Sequence, residues 1–283
     1  ENGEILNFLR SECVKKGQLT PHYHYVSRPP FTEAEAVRRA IYLAGQTDTP
    51  LYIAHMTCRE AIAELQKAKG TGQRVSGETC THYLTTTKEV LDNPDFNEAA
   101  KFVCSPALRD REDCEALWQA LSDGLLTAVS SDHCGIDVAE LKQAGRNDFT
   151  QIPNGSPGAG DRLHMVWTEG VCTGKLTRQK FVDVIATQPA KINGIYPRKG
   201  TLAVGSDADV VIFDPNYEGT VHLADNPNGV DYNLYEGRRQ SGRVETVLLR
   251  GQVVVENAKF VGRYGQGKFI PANMYASGYE NRN

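Results

Sequence analysis

A parallel α/β region followed by an all-β segment is the fold class this sequence predicts. Two patterns lead there. Short apolar runs alternate with amphipathic helices through the first two thirds of the chain, and strand-type runs take over after Gly200. At 283 residues the chain is long enough to bury a sizeable core.

An amphipathic segment begins almost at Glu1. Thr32 and Glu35 are spaced as a capping box, which predicts a helix with Thr32 as its N-cap. Val37, Ala40, Ile41 and Ala44 supply its apolar face, Arg38 and Arg39 lie outside, and Gly45 ends it. Residues 51–54 read as a short buried strand stopping at His55, followed by a helix over 59–69 and a strand over 75–79. Residues 101–105 read as a strand closed by Pro106, 112–121 as a helix, and 126–129 as a strand ending at Ser131-Asp132. Strands separated by helices pair in parallel through crossovers.

From Gly135 to Gly160 the pattern is loop-like, with its clearest turn signal at 153–158. Helices follow over 162–172 and 178–186. Beyond them, 208–214 reads as a strand ended by Pro215. Residues 244–249 and 252–255 flank Arg250-Gly251 as a hairpin, and the Gly- and Tyr-rich tail from Gly262 reads as extended. The change of character divides the chain into 1–198 and 199–283.

Composition excludes several function classes. With 40% hydrophobic and 23% charged residues and a net charge of −4, the chain carries no basic run or basic-aromatic patch suited to nucleic acid. No apolar stretch reaches the ~18–20 residues of a membrane span, and no secretory signal is seen. Seven scattered cysteines, none in a C-x-x-C pair, read as reduced and mostly buried thiols of a cytosolic protein. The start at Glu1 reads as the interior of a longer protein.

Two positions carry chemical promise because of where they fall. His55 and Asp132 each close a predicted strand, and in a parallel α/β barrel catalytic groups gather on that rim. Imidazole and carboxylate together suit zinc, and the carboxylate can also shuttle a proton. A histidine at a strand end is more commonly a hydrogen-bonded structural residue, so position alone does not make His55 a ligand. His22 and His24 form an H-x-H pattern, but the prolines around it predict a loop, and a structural role follows. His133 is expected on the opposite face from Asp132, in a packing or supporting role. His82, His164 and His222 have no constellation around them and read as solvated or structural. The glycines of 152–162 lack the Lys-Ser/Thr ending of a phosphate loop and suit close backbone approach to a small ligand, with Ser105 a candidate for a similar polar contact.

The chain resembles the amidohydrolase superfamily, and within it the dihydropyrimidinase/D-hydantoinase branch. The resemblance is carried by Glu1-Asn2-Gly3, Arg28-Pro29-Pro30, Leu51-Tyr52-Ile53-Ala54-His55 and Gly77-Glu78-Thr79-Cys80. It continues through Ser105-Pro106-Ala107-Leu108-Arg109, Ser131-Asp132-His133-Cys134, 148–155, 196–200 and 204–211. It implies the C-terminal part of a (β/α)8 TIM-like barrel over 1–198, then β-sandwich strands and a tail. It also implies a centre of two zinc ions bridged by a carboxylated lysine. On this resemblance His55 and Asp132 are metal ligands, Asp132 is in addition the catalytic proton shuttle, and the backbone at Ser105 and Asn154 grips the substrate. The other ligands, including the lysine and an H-x-H pair, are placed upstream of Glu1. The polypeptide by itself would then hold neither both zincs nor activity.

The activity so implied is ring opening of dihydropyrimidines or 5-substituted hydantoins to N-carbamoyl amino acids. The partners implied are a small cyclic ureide and further copies in a homotetramer, in the cytoplasm, with neither nucleic acid nor membrane. The alternatives are a non-catalytic dihydropyrimidinase-related scaffold and an allantoinase- or dihydroorotase-type hydrolase. Presence of both His55 and Asp132 favours an enzyme, and the Pro153-Asn154-Gly155 loop favours the hydantoinase branch.

Overall fold

The computed structural model describes residues 1–273 and has a mixed α/β architecture, with one parallel and one antiparallel sheet. The chain forms two compact units. The first takes residues 1–162 together with 221–238, and the second takes 163–220 and the chain from Arg239 onward. The helices after residue 163 fall with the β-rich segment, and 221–238 falls with the first unit.

In the first unit, α1 (Gly3–Lys15) is capped by Asn2, whose side chain accepts from the Ile5 N–H at 3.2 Å. After α2 (His22–Val26), α3 (Pro30–Gln46) starts three residues earlier than the capping-box pattern predicts, with Pro29 rather than Thr32 at the N-cap. Pro30 fits the first turn because its missing N–H would have no helical partner there. The expected box does not form. The Thr32 hydroxyl donates back to Pro29 O at 2.8 Å, and Glu35 accepts from the Asn2 amide at 2.7 Å. The buried face of α3 is Val37, Ile41 and Ala44, as the spacing predicts.

The parallel sheet is ordered β1 (Leu51–Ile53), β2 (Val75–Cys80), β3 (Ala128–Ser130). Leu51 pairs with Val75 and Cys80 with Ser130, so all three strands present their C-terminal ends at one edge. The first crossover is α4 (Arg59–Gly70), which buries Ala61, Ile62, Leu65 and Ala68. The second contains α5 (Thr81–Thr85), α6 (Phe96–Ala100) and α7 (Arg111–Ser122). Asp113 of α7 accepts from the Arg59 N–H at 3.0 Å, supplying the first turn of α4 with the acceptor its own N-cap Cys58 does not give.

Residues 101–105 form no strand. Their carbonyls are taken by other partners: Val103 O by the Gly155 N–H at 3.0 Å, and Lys101 O by the Ser156 hydroxyl at 2.8 Å. The 101–105 segment is therefore a loop laced to a second loop. Beneath both lies a cluster of Cys13, Leu91, Val103, Phe149 and Ile152, all buried.

The second unit carries the antiparallel sheet β4 (Val210–Thr220), β5 (Arg239–Leu249), β6 (Gln252–Glu256), β7 (Lys259–Phe260). Pro215 does not end β4. The register shifts between Asp214 and Glu218, and this irregularity accommodates a residue without an N–H while the strand continues. The β5–β6 hairpin turns at Arg250 and Gly251, both at positive φ (49° and 79°), the backbone a tight two-residue connection needs. Helix continues past residue 186, through a π-helical turn at Asp183–Thr187 and on to Gln188–Ile192. Trp167, Phe181 and Phe213 pack edge-on in this unit, with Trp167–Phe213 centroids 4.9 Å apart. Residues 261–273 add no further strand, and the rest of the expected extended tail lies outside the described residues. Among the described residues no helix is long and apolar enough to cross a membrane.

Candidate active site

The candidate residues gather where the parallel strands end. Residues just past those ends leave the sheet's hydrogen-bond ladder and are free to turn, which is why chemistry collects there. His55 stands two residues beyond β1 and Asp132 two beyond β3. Both adopt left-handed backbone, with φ of 42° and 45°. For residues bearing a Cβ this costs energy and persists only where surrounding structure imposes it, a condition common at functional sites. Asp132 is exposed and His55 partly buried.

Between them β2 contributes residues the sequence did not single out. Ligand atoms of Cys80, His82 and Asp132 all lie within 4.8 Å of one another. His82 was expected to lack a constellation. Topology supplies one: Cys80 is the last residue of β2, His82 lies in the first turn of α5, and β2 is hydrogen-bonded to the strand that leads to Asp132. The one signal available was a C-x-H spacing at the end of a predicted strand.

His82 is 3% exposed and its Nε2 has no hydrogen-bond partner. Burial, reinforced by nearby His55, disfavours the charged imidazolium and pulls its pKa down to about 3. Burial pushes the Cys80 thiol well above its ordinary range. Cys80 Sγ lies 3.2 Å from the Ser130 hydroxyl, which in turn donates to Glu78 at 2.8 Å. Glu78 also accepts from the Tyr52 hydroxyl at 2.6 Å, so one carboxylate links all three strands.

Ser105 and Asn154 come together on the two laced loops. The Ser105 hydroxyl donates to Asn154 Oδ1 at 2.8 Å, and the Asn154 amide donates to Ile152 O at 3.1 Å. Lys142 lies completely buried below them and donates to Ala100 O, Val103 O and Gly155 O at 2.8, 3.2 and 2.8 Å. Burial lowers its pKa to about 8. Sequence inspection missed Lys142 because a lone lysine in a loop region carries no pattern.

The remaining histidines are engaged elsewhere or stand apart. His22 and His24 lie on a short helix rather than a loop. His22 Nδ1 meets Asp92 at 2.6 Å, while buried His24 uses Nε2 to bond Cys104 O at 2.7 Å. The Nδ1 of His133 accepts from the N–H groups of Gly158 and Ala159 at 3.3 and 3.4 Å, anchoring the glycine-rich loop. His222 pairs with Glu236 at 3.1 Å.

The amidohydrolase family profile matches residues 32–254. The chain belongs to the amidohydrolase family. A D-hydantoinase of Ralstonia pickettii is 47% identical over 275 residues, covering 97% of this chain and 60% of the relative. A dihydropyrimidinase of Arabidopsis thaliana is 38% identical over 95% of this chain and 51% of its own length. A crystal structure of a D-hydantoinase superposes with a TM-score of 0.95 at 42% identity, over 97% of this chain and 60% of that one. The chain thus spans about 60% of the length of the bacterial D-hydantoinases it matches.

Amidohydrolases are generally metal-dependent, and this rim fits a cation. A nitrogen of the buried His82 ring lies in a donor set with the Cys80 sulfur and an Asp132 carboxylate oxygen, all of which bind zinc-like ions, and the ring's Nε2 has no hydrogen-bond partner.

Proposed function

We propose that this chain is the C-terminal part of the barrel, with adjoining β-sandwich strands, of a cyclic amidohydrolase that opens dihydropyrimidines or 5-substituted hydantoins to N-carbamoyl amino acids. The observation carrying this reading is the left-handed backbone shared by His55 and Asp132 at the C-terminal ends of β1 and β3. The identity to hydantoinases across nearly the whole chain supports the choice of branch.

His55 and Asp132 would hold metal, as part of a two-zinc centre whose carboxylated lysine lies outside this chain. Zinc, when bound, supplies a Lewis acid that polarises the ring carbonyl and makes water a stronger nucleophile. The Asp132 carboxylate takes the proton of the attacking water and returns it to the departing ring nitrogen, so the amide bond breaks without releasing an anionic amine. The backbone at Ser105 and Asn154 orients the ureide, and their side-chain bond keeps the two gripping loops in register. A homotetramer and a cytoplasmic setting belong to the same reading. Light scattering of the purified protein tests the first, and cell fractionation the second.

The deciding experiment assays the complete protein that contains this chain, zinc-loaded, against dihydrouracil, a 5-substituted hydantoin and allantoin in parallel, beside its Asp132→Ala variant. Turnover of either of the first two, reduced roughly 10²-fold or more by the substitution, is expected. Turnover of allantoin alone, or of nothing, would replace this reading by the allantoinase or scaffold alternative.

A further inference from the structure

The hydrolytic reading uses Asp132 and His55 and leaves unexplained the two groups that stand beside Asp132. Cys80 is fully buried at the end of a strand, and His82 is buried with an unpartnered Nε2. Burying an imidazole nitrogen without a partner is costly, and the structure brings a thiol and a carboxylate toward this ring instead of a carbonyl or hydroxyl.

We propose that Cys80 Sγ, an imidazole nitrogen of His82 and a carboxylate oxygen of Asp132 form a thiolate-containing site for a borderline or soft divalent cation such as zinc, cobalt or cadmium. Two of the donors come from the β2–α5 junction and the third from just beyond the neighbouring strand. The donor atoms lie within 4.8 Å of one another, a little wider than the spacing around a bound ion. Asp132 is exposed and closes the difference by a side-chain movement. Three protein donors leave one position of a tetrahedral ion open toward the exposed side.

A thiol among the ligands selects zinc, cobalt or cadmium over magnesium or calcium. The binding step balances simply. The Cys80 S–H proton leaves to water, an S–metal bond forms, and the thiolate and carboxylate charges offset the dication. The site rests on geometry and not on the hydrolytic reading. If that reading holds, an ion here competes with the two-zinc centre for Asp132, so occupancy would be inhibitory.

The test uses binding rather than turnover. The purified chain, stripped with chelator, is titrated with cobalt(II) while the thiolate-to-cobalt charge-transfer absorption in the near ultraviolet is followed. The inference expects one band-forming ion per chain, a band abolished by Cys80→Ser and weakened severalfold in affinity by His82→Asn. It also expects that band intact in a Cys134→Ser/Cys172→Ser variant, which removes the two exposed thiols. No band, or a band lost only in that double variant, overturns it. Should Cys80→Ser fail to fold, X-ray absorption on the zinc-loaded double variant decides. One sulfur scatterer at about 2.3 Å supports the site, and a shell of nitrogen and oxygen alone sinks it.

Discussion

Ser105 and Asn154, 49 residues apart in the chain, are joined by a 2.8 Å hydrogen bond between their side chains. That bond is the visible end of a deeper tie, because Lys142 holds the carbonyls of Val103 and Gly155 on the same two loops. Replacing Lys142 with Met keeps the length of the stem but leaves Gly155 O without its donor, while Ala100 O and Val103 O keep only the N–H groups of Val103 and Gly155. The orphaned carbonyl costs about 1–3 kcal/mol and each of the two other lost hydrogen bonds about 0.5–1.5 kcal/mol, so the variant should lose at least ~2 kcal/mol in urea unfolding. Proteolysis should then cut the 150–156 region first. Asn154→Ala leaves the lysine in place and should change stability by less than ~1 kcal/mol. Equal losses in the two variants would show that Lys142 is no more than another surface contact.

Acid sensitivity should appear well above the carboxylate range. His24 and His82 are both pulled down to about 3 by burial, against an ordinary value near 6.5. Between those values the unfolded chain binds protons that the native chain does not, so stability is lost as pH falls below 6.5. From pH 7 to pH 5 the two residues together should remove about 4 kcal/mol from the unfolding free energy of chelator-treated protein. Measured melting curves across that interval check this, and His24→Gln should roughly halve the slope. A flat profile from pH 7 to 5 would mean that these rings are not buried in their neutral form.

Thiol reactivity should divide the cysteines cleanly. Cys134 and Cys172 are exposed, while Cys13, Cys58, Cys80, Cys104 and Cys114 are buried. Burial raises all five of the latter thiols, which lowers their thiolate fraction as well as their accessibility. A colorimetric disulfide reagent should titrate two thiols rapidly in the native chain and all seven in denaturant. Three or more fast-reacting thiols would place one of the buried five at the surface.

What the sequence disclosed and what it withheld follow one physical division. Local patterns located the helices around Val37, Leu65 and Leu117, because burial of one face leaves a period in the sequence. They also located His55 and Asp132, since a strand end is a local event. The sequence did not disclose that residues 101–105 would be a loop, because Val103 O finds its partner in Gly155, 52 positions away. Thr32 misled for the same reason: a capping box is a local rule, and here Glu35 is drawn off by Asn2. His82 was overlooked because its neighbour Asp132 arrives from another strand. Each miss is a non-local partner overriding a local preference.

The most consequential of those non-local partnerships for stability is Glu33 with Arg109. Both side chains are buried and paired at 3.1 Å. Arg109 also donates to the Thr57 hydroxyl at 2.8 Å and to Arg28 O, while Glu33 accepts from the Thr57 N–H at 2.8 Å and from its hydroxyl. The network ties α3 to the segment after β1 and to the Ser105–Arg109 loop. Removing one partner leaves an uncompensated buried charge, which costs about 3–5 kcal/mol, whereas removing both leaves none. Arg109→Met should therefore lower unfolding free energy by that amount, Glu33→Gln by nearly as much, and the double variant by clearly less than their sum. Chemical denaturation of the four proteins measures the coupling. Strict additivity would show that the pair contributes as two independent side chains, and that Arg109 acts through its carbonyl and hydroxyl partners rather than through Glu33.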